Sequence, residues 1–385
     1  MNPSSSLWVK KFGVLFESKT AYYHDFESLY SDLIDIGFVF GLHFKTVDQY
    51  TTKHELLADE IAKLNLVFAL SEIHATLNKT RDFKCFLDDV LRFYKPLSKS
   101  SSIWKTMLSK EPSVTLEALI DRRINTKNNR LTQLFSSDFY NAFVLFDVIS
   151  FYHFLRFKTD YDDSYGYLKE LTLHYGKKTL FQIPESKHQL FGIFIAHLGA
   201  DHLFETYDAD SIAADTYWYH RYILDFCSIL IYAQDQPSKS YYNYLSNLNT
   251  ELNIEATTIE LSKEKAVAFT SKFKTKLDSL KASNTINRFQ AKITSLAERL
   301  IKRNSKRILT ELSNSKELVV LLTYSTHREL NPEEQKKVQQ YALDIAKSIP
   351  SIAIFMLPGG ALLLPIFIRL IPKLLPSAFD ENRID

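Results

Sequence analysis

The sequence predicts an all-α protein, a multi-helix array closed by a proline-kinked apolar segment. Three observations carry that prediction. Apolar residues recur at three- and four-residue spacing over helix-length stretches, and short clusters of turn residues separate those stretches. Helix breakers are scarce, with 9 glycines and 11 prolines in 385 residues, and five of the prolines are bunched between Pro350 and Pro376.

Taken in chain order, residues 1–11 hold Trp8, Lys10 and Lys11 without an apolar stretch, so no secretory signal is expected there. In 53–79, the set Leu57, Ile61, Leu64 and Phe68 interleaves with Leu66, Leu70, Ile73 and Leu77. Two such stripes predict a helix buried on two sides. In 139–155, Phe139, Phe143, Phe146 and Phe154 line a helix that also carries Asp147 and His153; the aromatic stripe reads as core, and a mid-helix aspartate argues against a membrane span. Turns are expected at 96–102, 110–113, 159–166, 176–185 and 234–240. Further helices follow at 191–202, 219–232 and 241–253. The expected regions are 1–160, 161–262, 263–317 and 318–385.

Charge divides the chain more sharply than its net value of +2 suggests. From Lys263 to Arg307 stand 13 Lys or Arg against three acids, a net +10 that includes Lys272, Lys274, Lys276, Arg288, Lys292, Arg299, Lys302, Arg303, Lys306 and Arg307. The preceding 262 residues carry 26 basic and 33 acidic groups, a net −7. A basic connector of this kind is a solvated helix face, a nucleic-acid patch or a segment lying on anionic lipid. Two cysteines, Cys85 and Cys227, exclude a disulfide framework and point to a reducing compartment.

From Ser348 to Ile368 run 21 uncharged, mostly apolar residues, long enough as a helix to reach about 31 Å. Pro350, Pro358, Gly359, Gly360 and Pro365 interrupt it, so a kinked span, a re-entrant loop and a hairpin all stay open. Arg369 and Lys373 close it as a basic collar. For a single span, the basic connector keeps the body in the cytoplasm, with the nine residues after Pro376 on the far side.

The string IPSIAIFMLPGGALLLPIFIRLIPKLLPSAF, Ile349 to Phe379, resembles the membrane segment of the LETM family, the leucine-zipper and EF-hand-containing transmembrane proteins of mitochondria and their bacterial relatives. The resemblance rests on Pro350, Pro358, Pro365, Pro372 and Pro376, at steps of 8, 7, 7 and 4, followed by Phe379. It extends upstream to Asn331-Pro332-Glu333-Glu334, a helix start with Asn331 as cap and Glu334 placed to close a capping box. Mitochondrial members carry a glutamate where this chain has Ala361, and no ionisable residue lies between Lys347 and Arg369, so the resemblance does not carry over a residue for cation/proton exchange. The family's ribosome-binding-like domain is expected beyond the segment, and Asp385 leaves no room for it. The long helical body looks most like the bacterial LETM-related biofilm-associated proteins. Residues 191–261, with Ala233-Gln234-Asp235-Gln236-Pro237 between helices, are weakly similar to helical TerB-like domains.

His197, Asp201, His202 and Glu205 have ligand-like spacing on one helix face, so a divalent cation is the only cofactor with any support. Asp160 to Gly166 approaches a calcium loop, but Gly166 is one place late and Leu171 stands where the bidentate glutamate belongs. No Walker loop, dinucleotide fingerprint, zinc-protease helix or nucleophile elbow is present. The expectation is therefore a non-enzymatic LETM-like protein, a helical scaffold held on the cytoplasmic side of a bacterial inner membrane by residues 348–376. Cation/proton exchange and ribosome or RNA binding are the alternatives, and partner and oligomeric state stay open.

Overall fold

The computed structural model describes residues 2–20, 22–42, 44–47, 56, 58–99, 111–124, 144–183, 212, 215–232, 239–281, 297, 298, 300–348, 368, 370–372, 374 and 375. Among them the structure is helical and contains no strand. The chain divides into two compact units: Met1–Thr52, Ala58–Thr126 and Ser137–Lys281 form the first, and Lys53–Leu57, Lys127–Ser136 and Ala282–Asp385 the second.

Unit 1 is built on α3 (Ala58–Asn78), whose Ala62, Leu64, Leu66, Val67, Phe68, Ala69, Leu70 and Ile73 are all buried. Burial around its whole circumference is what the doubled apolar stripe requires. On one side α3 meets α1 (Trp8–Ser18) indirectly, through α4 (Phe83–Phe93) and α5 (Pro112–Ile124). On the other it packs on α6 (Val144–Phe157), which packs on α7 (Tyr161–Leu180), then α8 (Tyr217–Tyr232), then α10 (Ala256–Lys272). The helix α2 (Phe26–Asp35) touches both α3 and α10, and a 3-10 turn at Phe38–Phe40 lies against α8. Two smaller helices, α9 (Lys239–Glu251) and α11 (Lys274–Lys281), lean on α10.

Polar groups are built into this core. Asp147 of α6, fully buried, accepts two hydrogen bonds from Arg123 of α5 at 2.8 Å each, one from Tyr94 at 2.8 Å and one from Tyr161 at 2.9 Å. Four hydrogen bonds satisfy a charge that would otherwise be costly to bury. Arg221 pairs with Asp225 along α8 at 2.9 Å, and Arg81 holds buried Glu72 through two nitrogens at 3.1 and 2.5 Å. Ser164 lies 2.8 Å from both Ser150 and Tyr219, joining α6, α7 and α8.

Two expected turns, at 159–166 and 176–185, are partly helical: residues 159–160 precede the helix and 181–183 form a turn after it. Residues 161–166 form the first turns of α7, because Asp162 and Asp163 sit where carboxylates favour a helix amino terminus. The helix then runs through Gly176 to Leu180, four residues past the expected break. Both glycines, Gly166 and Gly176, are buried in its packed face. The helices expected at 219–232 and 241–253 are found as α8 and α9, and the one at 191–202 lies outside the described residues.

Unit 2 contains α12 (Ser305–Ser313), α13 (Lys316–His327) and α14 (Pro332–Ser348), preceded by helical residues 300–303. Its core is aliphatic: Leu300, Ile301, Ile308, Leu312, Leu318, Leu322, Val338 and Ile345 are buried together with Leu370, Ile371 and Leu375. No helix among the described residues is long and apolar enough to cross a membrane. Of the expected membrane segment at 348–376, Ser348 closes α14 and Leu370, Ile371 and Leu375 are buried in the core of unit 2, while residues 349–367 lie outside the described residues. Pro350, Pro358, Gly359, Gly360, Pro365, Arg369, Lys373, Pro376 and Phe379 lie outside the described residues, and Pro372 is helical and part-exposed.

Candidate functional site

The basic stretch crosses the boundary between the units, which falls between Lys281 and Ala282. Its first part is seated on unit 1 by aromatic residues. Phe269 lies 5.0 Å from Phe40 and stacks on Phe44 at 6.0 Å, and Phe273 lies 5.0 Å from Phe44. The close approach depends on Gly37, whose φ of +85° is a left-handed conformation and where a Cβ would meet the Phe269 ring at 2.7 Å.

That seating brings the cations onto fixed partners. Lys265 pairs with Asp35 at 2.9 Å, and Lys272 reaches the Asp35 carbonyl at 3.5 Å, at the end of α2 where the helix dipole favours positive charge. Lys276 donates to the Phe44 carbonyl at 3.3 Å and lies 5.2 Å above the Phe44 ring. Lys263 pairs with Glu260 at 3.2 Å, and Lys274 is exposed.

The later cations behave differently. Residues 300–303 and α12 bury Leu300, Ile301, Ile308 and Leu312 and turn Lys302, Lys306 and Arg307 to solvent. Asn304 keeps the two helical pieces in line, its side chain donating to the Leu300 carbonyl at 2.7 Å while its own carbonyl accepts from Ile308. Among the described residues none of these three exposed cations forms an ion pair. Arg303 is only part-exposed, and Arg288, Lys292 and Arg299 lie outside the described residues.

Downstream, the expected capping box is present with both of its bonds. The Glu334 N–H donates to Asn331 Oδ1 at 2.9 Å, and the Asn331 N–H donates to Glu334 Oε2 at 2.9 Å. Arg328 adds a two-pronged contact to Glu334 at 2.8 and 2.6 Å, and this guanidinium with the Asn331 N–H holds the carboxyl down at about 2. Glu317 of α13 accepts from both Lys337 and Tyr341 of α14 at 2.7 Å. These ties fix the hairpin of α13 and α14 from outside its core.

His197, Asp201, His202 and Glu205 lie outside the described residues. Asp160, Asp162 and Asp163 bring carboxylate oxygens within 4.8 Å of one another, in a stretch that lacks the spacing of a calcium loop. They are the acidic first turn of α7, and their helix position accounts for them. Cys227 is buried and its thiol is pushed up to about 12, while burial pushes the His153 imidazole down to about 3.

Comparison with known proteins bears on unit 2 alone. Residues 330–384 match the family described as LETM1-like, RBD, in support of the LETM resemblance read from the proline series. The match begins at the capping box and includes the whole uncharged run, so the RBD-type domain coincides with that run instead of following it, against the expectation from sequence. No curated protein and no solved structure matches the chain. Nothing in these matches speaks for the biofilm-associated group or for a TerB-like domain.

Proposed function

We propose that this chain is a non-enzymatic, membrane-associated LETM-like scaffold. Its LETM1-like carboxy-terminal part meets the membrane, and its helical body serves as an interaction module on the cytoplasmic side of a bacterial inner membrane. The observation that carries the reading is the three-cation face Lys302, Lys306 and Arg307, exposed and without acidic partners among the described residues, in the unit that also holds the 21-residue uncharged run. Cations near an anionic leaflet contribute about 1 kcal/mol each. The apolar run supplies the second contact, and two such contacts together hold a protein where one alone is marginal.

The test is fractionation of cells carrying the full chain, with a deletion of residues 351–366 as the control that spares the buried residues 370, 371 and 375. The full chain is expected in the membrane fraction and the deletion in the supernatant. Recovery of the full chain in the supernatant overturns the reading. A ribosomal or RNA contact is the second reading, favoured by the RBD description of residues 330–384 and by the same cations. It predicts salt-dependent binding to ribosomal RNA, with no binding to anionic vesicles.

A further inference from the structure

The helix α1 has two unlike sides. Trp8, Val9, Phe12 and Phe16 are buried in the body of unit 1. Both of its ends are fastened. The Glu117 carboxylate of α5 faces the N–H groups of Leu7, Trp8 and Val9, and the Arg81 Nε donates to the Phe16 carbonyl at 2.9 Å with its guanidinium 4.4 Å above the Phe16 ring. Gly13 admits the Phe83 ring of α4 so closely that a Cβ there would meet it at 2.3 Å.

A helix clamped in this way presents one fixed outer side. Leu7, Lys10, Lys11, Val14 and Leu15 share it at helical spacing. Val14 is 66 % exposed, Leu7 47 % and Leu15 39 %, and both lysines are exposed. Among the described residues neither lysine has an acidic partner, although the surrounding 262 residues carry a net −7. Local positive charge on an acidic body, set among apolar tips, is the chemistry of a surface that meets anionic headgroups above an acyl boundary.

We propose that the outer side of α1 is a second, interfacial membrane contact, with Lys10 and Lys11 on anionic lipid headgroups and Val14 and Leu15 at the acyl boundary. The proposal rests on the membrane reading above for bringing unit 1 near a bilayer, where a tethered contact is strengthened by effective concentration. It differs in assigning the body its own lipid contact, far in sequence from the LETM1-like part.

The test uses the full chain with Val14→Cys in a Cys85→Ser background, labelled with an environment-sensitive fluorophore; Cys227 is buried and does not react. Phosphatidylcholine vesicles with phosphatidylglycerol are expected to shift the emission to the blue, and phosphatidylcholine alone is not. Lys10→Glu with Lys11→Glu should weaken the vesicle affinity that the shift reports by roughly fivefold per lysine. Sedimentation with the vesicles is read in parallel. A chain that sediments with an unshifted probe, or a shift indifferent to the charge reversal, overturns this proposal alone. A chain left in the supernatant overturns it together with the membrane reading.

Discussion

Unit 1 and unit 2 are both helical, yet they place their polar groups oppositely. Unit 1 buries a four-donor aspartate, an Arg221–Asp225 pair and a chain of hydroxyls among aromatic rings. The core of unit 2 is aliphatic, and its polar ties, Arg328–Glu334 and Glu317–Lys337–Tyr341, lie on the surface. Buried partners of fixed geometry favour one arrangement of helices, whereas Leu, Ile and Val surfaces accept several. Unit 1 is specified by directional bonds and unit 2 mostly by shape.

Replacing Asp147 is the severest way to break that contrast. Asp147→Ala strands Arg123 in the core and is expected to cost about 4 kcal/mol in urea unfolding. Arg123→Met with Asp147→Leu should recover most of that loss, because the desolvation of both charges is removed together. Failure of the double variant to recover would mean that the tyrosines, not the ion pair, hold this part of unit 1 together.

Acid sharpens the contrast at a middle level. His153 is buried against Tyr219, ring centroids 4.0 Å apart, and its imidazole is held down at about 3. The unfolded chain takes up this proton near pH 6.5 and the folded chain does not. Stability is therefore whole above pH 6.5, falls as pH drops through it, and levels only below about 3. The expected loss from His153 is about 2 kcal/mol at pH 5. Burial also lowers His74 and His220 and adds slope of the same sign, so the measurement is the difference between the protein and His153→Leu across pH 8 to 5. Equal slopes would mean that His153 is not buried neutral.

The smallest expected effect is in unit 2. Asn331→Ala removes one half of the capping box and should lower stability by about 1 kcal/mol, read as a small shift of the urea midpoint. A larger loss would show that the surface ties carry more of unit 2 than its core does.

What could be read from sequence follows the range of the interaction. The helices α3 and α6 show in their apolar spacing, and the Asn331–Glu334 box shows because its members are three residues apart. Asp147 and His153 stood out as polar groups in an apolar helix. Nothing near them in the chain announced Arg123 or Tyr94, which arrive from other helices. The same limit applies to the basic stretch. Its charge is plain in the sequence, but Lys265 is neutralised by Asp35, 230 residues earlier, so only folding separates tied cations from exposed ones. The turn misplaced at 159–166 has a local cause: aspartates that favour a turn also favour the first turn of a helix.

Ile345 at the end of α14 and Leu370 beyond the uncharged run belong to one buried cluster. The two flanks of the uncharged run are thus held together, and the cluster works as a clasp between them. With the clasp closed, these flanks cannot lie on opposite faces of a membrane. A single one-way crossing would have to prise Leu370, Ile371 and Leu375 away from Leu312, Leu322 and Val338.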